Sequence, residues 1–461
     1  MLCQVVYPDN STTTLYYLAD GQGGVVLSRV VNPGAAAPVG YPTLDFGYQQ
    51  ITMPAPSGGT YTVPLLSSVR DPLVNDAIAA GTITASNVYT TEIAYDTNGR
   101  VTQVTAPKPS AAATFRQQVN IDYQTTGGVT YNETRVRVLG LDDTTSSTDW
   151  DRKVQFDPAA RTTADYQATN PASTQWMLTE NGWDGNSASD RLLWTKTNRQ
   201  ITRTVYSPEG WPTDTYGPAN ETCFDATTKL PNGTCTNPAV PHTSTVYDGG
   251  LNGLAVTVWP SYSWTGQPSN LVTGLAGSSS LSYSWGAGGP AEAINAAGAQ
   301  MTDSFSMRLT GSILFPSTGT YTFSLNAPDD SERLYIDDQL VVTGAWNTGT
   351  TTGTFTLPAG TSTTRRIRID WNEGAGDAAL NASWAGPGIT GTVAVPNTSL
   401  KPRYGLVTST TVDDTGGATP STTTTTSYSA TGIDPAYGLV TQTTTAGLTT
   451  TNYYETSGYR R

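Results

Sequence analysis

The sequence predicts an all-β protein of more than one domain, and three observations carry that expectation. Uncharged polar residues dominate: 37% of the chain is hydrophobic, yet only 13% is Asp, Glu, Lys or Arg. Thr and Tyr favour pleated strands, while 46 Gly and 29 Pro supply turns. Tyr followed four positions later by Gly recurs along the chain. Between about 249 and 402 this pattern, apart from one match at Tyr262, gives way to denser alternation of apolar and polar residues. At 461 residues the chain exceeds one ordinary core, so two or three domains are expected.

The Tyr-to-Gly spacing occurs at Tyr17/Gly21, Tyr95/Gly99, Tyr123/Gly127, Tyr206/Gly210, Tyr262/Gly266, Tyr428/Gly432 and Tyr454/Gly458. Random placement of 24 Tyr and 46 Gly gives about 2.4 such pairs, so seven mark a repeat. Phe156 to Ala160 reads as a degenerate copy. Each unit predicts a strand ending at Tyr, a turn closing on Gly, then an alternating strand such as Val101, Gln103, Thr105. Gly suits the end of that turn because positive φ meets no Cβ clash.

Two other segments have their own signals. Asp71-Pro72 followed by 73–80 and Gly81 predicts a short helix, with an Asp cap, Pro in the first turn and Gly at the end. The runs 411–420 and 421–427, rich in Thr, Gly and Asp, read as loop or linker. Within the insert, Phe305, Met307 and Leu309 share one face, as do Tyr321, Phe323 and Leu325. The same holds for Leu334 and Ile336, Phe355 and Leu357, Ile367, Ile369 and Trp371, and Leu380, Ala382 and Trp384. Six half-buried strands in about 150 residues suit a β-sandwich or compact barrel.

Net charge is −13, and the one basic cluster, Arg365, Arg366 and Arg368, reads as a solvated sheet face. Nucleic acid is therefore not an expected partner, since phosphate binding needs a basic surface. No apolar run is long enough to span a membrane. Residues 1–20 are too polar for a signal peptide, so export would use an upstream leader or another route. Cys223 and Cys235 bracket a Pro-Asn-Gly turn, and their spacing permits either a local disulfide or two thiols.

The residues Tyr95-Asp96-Thr97-Asn98-Gly99-Arg100-Val101 resemble the defining heptad of the YD-repeat (rearrangement-hot-spot and teneurin-like) family. The resemblance covers about 1–248 and 403–461, and implies a spiralling β-sheet that can close into a shell. On this reading more repeats follow Arg461. The insert, 249–402, resembles the protective-antigen-type (PA-fourteen) β-sandwich. Its words are Tyr283-Ser284-Trp285-Gly286, 305–311, 319–323, Asp329-Asp330 through Asp337, and 369–374.

That second resemblance implies carbohydrate binding through calcium. Asp329 and Asp330 would supply hard oxygen ligands, and Glu373 or Asn372 would complete the coordination. Trp346 and Asn347 would stack on and hydrogen-bond a sugar. The plainer reading of Asp329-Asp330 is a turn carrying solvated acids.

Catalysis finds little support. His242 is the only histidine, with no Gly-x-Ser-x-Gly elbow nearby, and it reads as a solvated loop residue. No phosphate-binding glycine loop occurs. The expected function is a non-catalytic, secreted or cell-surface binding and scaffold protein whose partner is a carbohydrate or glycoprotein. Two alternatives stand: a structural fragment of a shell enclosing a C-terminal toxin or meeting neighbouring repeats, and a glycosidase-associated enzyme using paired carboxylates.

Overall fold

The computed structural model describes residues 2–34, 42–110, 112–126, 129–140, 148–170, 172–185, 189–236, 239–326, 330–413 and 421–454, side chains of 126, 129–131 and 148–149 excepted. The chain is nearly all β, with large antiparallel sheets, and divides into two compact units, Met1–Ile201 and Thr202–Arg461.

In the first unit, strands pair antiparallel with their sequence neighbours, from Gln4–Val6 through Thr12–Ala19, Val25–Val31, Thr43–Pro54, Thr60–Arg70 and Thr91–Tyr95 to Leu192–Thr197. Such a meander buries little: among the described residues its buried apolar side chains are Ala113, Ala164 and Ile201. Alternating Thr, Gln and Val leave neither face apolar enough for a thick core.

What recurs instead is a turn. Asp96 N–H donates to the Arg100 carbonyl at 2.9 Å and Gly99 N–H to the Asp96 carbonyl at 3.0 Å, with Gly99 at φ 76°. The ladder shifts by one residue between Ala94 and Tyr95. Asp157, Ala160 and Arg161 repeat this geometry, with Ala160 forced to φ 62° where Gly would be unstrained. Each Asp carboxylate also accepts from the Arg backbone and guanidinium. Burial pushes both acids up, but these donors outweigh it and hold Asp96 and Asp157 below the usual carboxylate range.

The tyrosines have a shared task. Tyr17, Tyr48 and Tyr95 each donate their hydroxyl to a backbone carbonyl earlier in the chain: Leu2, Leu27 and Leu66, at 2.7 to 2.9 Å. In the second unit Tyr247, Tyr428 and Tyr454 do the same to Pro212, Val407 and Val440. Gly127 and Gly458 lie outside the described residues.

Pro72–Ala79 is the helix, capped by Asp71 Oδ1 accepting from Val74 N–H at 2.9 Å, with Gly81 at φ 71° beyond its end. The linker expected at 411–427 is a correction. Val407–Asp413 and Thr422–Ser427 are paired strands, and 414–420 lies outside the described residues. Threonine's β-branch favours the pleat, and facing hydroxyls bond across it, as Thr411 and Thr423 do at 2.9 Å.

The second unit holds the sandwich. Strand His242–Tyr247 pairs directly with Val407–Asp413, so everything between leaves and returns at one place. Asp248, 2% exposed and at φ 53°, closes that neck by accepting from Gly405 and Leu406 N–H at 3.0 and 2.9 Å. One sheet runs Asn270–Thr273, Ala255–Trp259, Phe305–Leu314, Thr364–Glu373, Ser331–Ile336, Gln339–Ala345, with Leu400–Lys401 added beside Phe305–Leu314. The other runs Ser282–Gly286, Ala378–Ala385, Gly319–Leu325, Thr351–Leu357, with Val393–Ala394 beside Ala378–Ala385. Between them lies one continuous core. Phe305, Met307, Tyr321, Phe323, Leu334, Ile336, Ile369 and Trp371 are fully buried there, and Trp371 stacks on Trp285.

His242 is also corrected. It opens a strand rather than sitting in a loop, stacks on Tyr216 with ring centroids 4.4 Å apart, and shares a 3.0 Å hydrogen bond between Nε2 and Asp214. An exposed loop position would have left the imidazole without this ring partner.

Candidate functional site

The site lies at the end of the sandwich where strand Ser331–Ile336 begins. Asp329 is outside the described residues; Asp330 is within them, at φ 52°. Its carboxylate accepts from Gly374 N–H, just past strand Thr364–Glu373. Its carbonyl accepts from Trp346 N–H at 2.6 Å, just past strand Gln339–Ala345. One residue thus ties together the three segments that the sequence had marked separately.

Trp346 is 71% exposed, an unusual position for an indole with so much apolar surface. Asn347 follows at φ 62° in the same turn, which Thr348 closes by donating its hydroxyl to the Ala345 carbonyl at 2.6 Å. Asp303 and Ser304 hold the other side of the 374–376 segment: Gly376 N–H donates to Asp303 Oδ1 at 3.2 Å, and Ser304 N–H to the Gly374 carbonyl at 2.9 Å.

Tyr262 was missed as a site residue, because its spacing to Gly266 places it in the tyrosine repeat. Here it is 43% exposed, and its ring edge packs against Gly374: a Cβ added there would sit 3.3 Å from Tyr262 Cε2 and 3.1 Å from Asp330 Oδ2. Gly374 therefore separates an aromatic ring from a carboxylate. The loop carrying Tyr262 is anchored by Ser306, whose hydroxyl donates to the Ser261 carbonyl at 2.7 Å and accepts from Trp264 N–H at 3.0 Å.

Asn372 and Glu373 are both buried, at 4% and 0% exposure. Successive strand residues face opposite sides, so Glu373 shares the core side of Trp371, while Asn372 faces the other way. Continued one residue, the pleat puts Asn372 on the side where a Gly374 Cβ would meet the Asp330 carboxylate. Asn372 Oδ1 is buried and has no hydrogen-bond partner among the described residues. Asp330 oxygens and an unsatisfied amide oxygen are the hard donors a calcium ion takes. Among the described residues no group of three or more His, Cys, Asp and Glu side chains converges on one point, so an ion here would rely on amide and backbone oxygens as well.

Elsewhere, Cys223 and Cys235 are disulfide-bonded, with Cα atoms 5.2 Å apart. No helix among the described residues is long and apolar enough to cross a membrane.

The sequence model of the PA14 domain matches residues 295–398. That span takes in Asp330, Trp346, Asn372 and Gly374 and leaves Tyr262 outside. Among solved structures, an anti-sigma factor domain-containing protein is 19% identical over 34% of this chain and 50% of that one, with a TM-score of 0.29. This chain thus spans half of that protein's length. The epithelial adhesin 6 A domain from Candida glabrata, in complex with Galβ1-3GlcNAc, is 18% identical over 33% and 87%, TM-score 0.27. A PA14 sugar-binding domain from an RTX adhesin is 17% identical over 33% and 99%, TM-score 0.27. Comparison with curated protein sequences gives no match.

Proposed function

We propose that this is a non-catalytic binding and scaffold protein of the cell surface or the secreted fraction, whose PA14 domain binds carbohydrate at the Asp330 end of its sandwich. The observation that carries this reading is the grouping of Asp330, Gly374 and two solvent-facing rings, Trp346 and Tyr262, on four separate loops. A sugar presents apolar C–H faces and hydroxyl edges. Rings flanking a carboxylate suit both, since aromatic faces take the first and charged oxygens the second.

Calcium belongs to the same proposal. Asp329 and Asp330 would hold the ion, with Asn372 favoured over Glu373 by strand parity, and the ion would supply a charge to which sugar hydroxyls bind. Asn347 would donate or accept at the sugar's edge. The repeat segments 1–248 and 403–461, with their recurrent Asp-capped turns and tyrosine hydroxyl contacts, would form a YD-repeat scaffold, with the 249–402 insert displaying its ligand site outside the repeat sheet. Neighbouring repeats or an enclosed C-terminal toxin are the partners such a scaffold would take.

The full chain, stripped with chelator and titrated with calcium and then with Galβ1-3GlcNAc, tests the site by calorimetry. The expected result is saturable calcium heat and calcium-dependent sugar binding, both lost in Asp330→Asn. Sugar binding that persists in chelator would remove the ion from the proposal, and no binding of either would remove the site.

A further inference from the structure

At the far end of strand Ser331–Ile336, the outer face of the same sheet carries a second feature. Arg366 and Arg368 face outward, because Ile367 and Ile369, which alternate with them, are buried in the core. They lie two strand steps apart, roughly 7 Å, so their charges repel unless compensated. Across the ladder, Arg368 pairs with Thr310 and Arg366 with Ser312. A cavity of about 220 Å³ opens over them to solvent, bordered by Thr310, Asp338, Pro402 and Arg403.

The charges around it do not balance. Asp370 takes Arg308, at 2.6 and 3.2 Å, and lies 3.4 Å from Arg368 Nε without hydrogen-bonding geometry, leaving that nitrogen buried and unsatisfied. The Arg368 guanidinium lies over the Tyr335 ring at 3.9 Å, which fixes its plane. Arg366 reaches Asp338 at 2.6 Å, in a pair half open to water. Arg403, at φ 61°, has no carboxylate within ion-pairing distance among the described residues. Asp337, next to Asp338, accepts from the Arg366 N–H at 3.2 Å and pairs with Arg365 at 3.4 Å, so five guanidiniums meet three carboxylates here, in a chain whose net charge is −13.

We infer that this cavity is an oxyanion site, in which Arg403, Arg366 and Arg368 receive a carboxylate or sulfate carried by a small ligand such as an acidic monosaccharide. Guanidiniums offer paired donors that match such groups, and here two of them are set by a rigid sheet before any ligand arrives. The volume lies below that of sites for drug-sized ligands, which limits the occupant to one small ring or a free anion. The chain's overall negative field disfavours long polyanions, while a short ligand in a local cationic cleft escapes it beyond a Debye length of about 8–10 Å. The site is separate from Asp330, which lies about 20 Å away along the strand.

Calorimetry on the full chain, at physiological salt, uses glucose 6-sulfate, glucuronate, inorganic sulfate and neutral glucose as probes. Glucose 6-sulfate or glucuronate should bind saturably and glucose should not. Arg403→Gln should weaken binding about tenfold, the loss of one charge-assisted contact. Asp338→Asn, which removes a competing carboxylate, should tighten it severalfold, an outcome that misfolding cannot mimic. Asp330→Asn should leave it unchanged, so this site and the proposed sugar site fail independently. Inorganic sulfate binding as tightly as the sugar sulfate would support the site with a free anion as its occupant. Equal binding by wild type, Arg403→Gln and Asp338→Asn, or no saturable heat from any anion, overturns it.

Discussion

Asp434 links the sandwich to the segment that follows it, and removing its carboxylate should reveal how much stability that link carries. Asp434 Oδ1 accepts from the Thr273 hydroxyl at 2.7 Å and from Ala436 N–H at 2.8 Å; Oδ2 accepts from Thr273 N–H at 3.1 Å. Thr273 ends an edge strand of the sandwich, and Ala436 lies in the 3-10 turn Pro435–Tyr437. The Tyr404 hydroxyl meets Thr273 Oγ1 at 3.1 Å from the neck, and burial above all pushes its pKa up to about 12, so it is neutral at ordinary pH. A hydrogen bond to a charged group contributes about 1.5–3 kcal/mol, and a buried donor left unpaired costs about 1–3 kcal/mol. Because this cluster is only partly buried, water replaces some of the loss, and Asp434→Ala should cost about 2–4 kcal/mol rather than the sum. Thr273→Val, which keeps the backbone bond, should cost about 1–2 kcal/mol. Urea unfolding of wild type, both single variants and the double variant gives the coupling, expected at about 1–2 kcal/mol. A coupling below about 0.5 kcal/mol, the range of independent sites, would refute the link.

Three further outcomes follow from the geometry. Ala160→Gly should stabilise the first unit by about 0.5–1 kcal/mol, since relief of an L-residue at φ 62° exceeds the entropy Gly adds to the unfolded chain; thermal unfolding measures it. Asp151 is 1% exposed; burial pushes its pKa up, but Arg135 and Ser173 hold it lower than usual, so Asp151→Ala should cost about 2–3 kcal/mol. With a depressed folded pKa, that contribution is fully present above about pH 4 and is lost as pH falls through the folded value, so the variant should show a shallower acid-unfolding slope. Reduction of Cys223–Cys235, whose sequence separation is 12, should cost about 3 kcal/mol from loop entropy, and exported protein should resist alkylation at both residues until reduced.

The fold class and the helix were legible because they rest on local rules. Period two along 304–384 marks strands whatever their partners, and Asp71-Pro72 with Gly81 marks a helix by its own hydrogen bonds. The Thr-rich 421–427 segment misled, because Thr serves loops and strands alike and only the partner strand Val407–Asp413 decides between them. His242 misled for the same reason, since its ring partner Tyr216 is distant in sequence.

For the candidate site, sequence by itself determined the residue types: acids at Asp329-Asp330, an aromatic at Trp346, amide and acid at Asn372-Glu373. Tertiary structure alone decided which of them meet. Strand pairing carries Ser331 beside Asn372 and beside Ala345, and so brings the Gly374 and Trp346 backbones to Asp330. It also recruits Tyr262, over a hundred residues from Gly374, and gathers Arg403 with Arg366 and Arg368 at the opposite strand end. Side-chain chemistry is written residue by residue, whereas convergence depends on register across strands far apart in the chain, which no local pattern encodes.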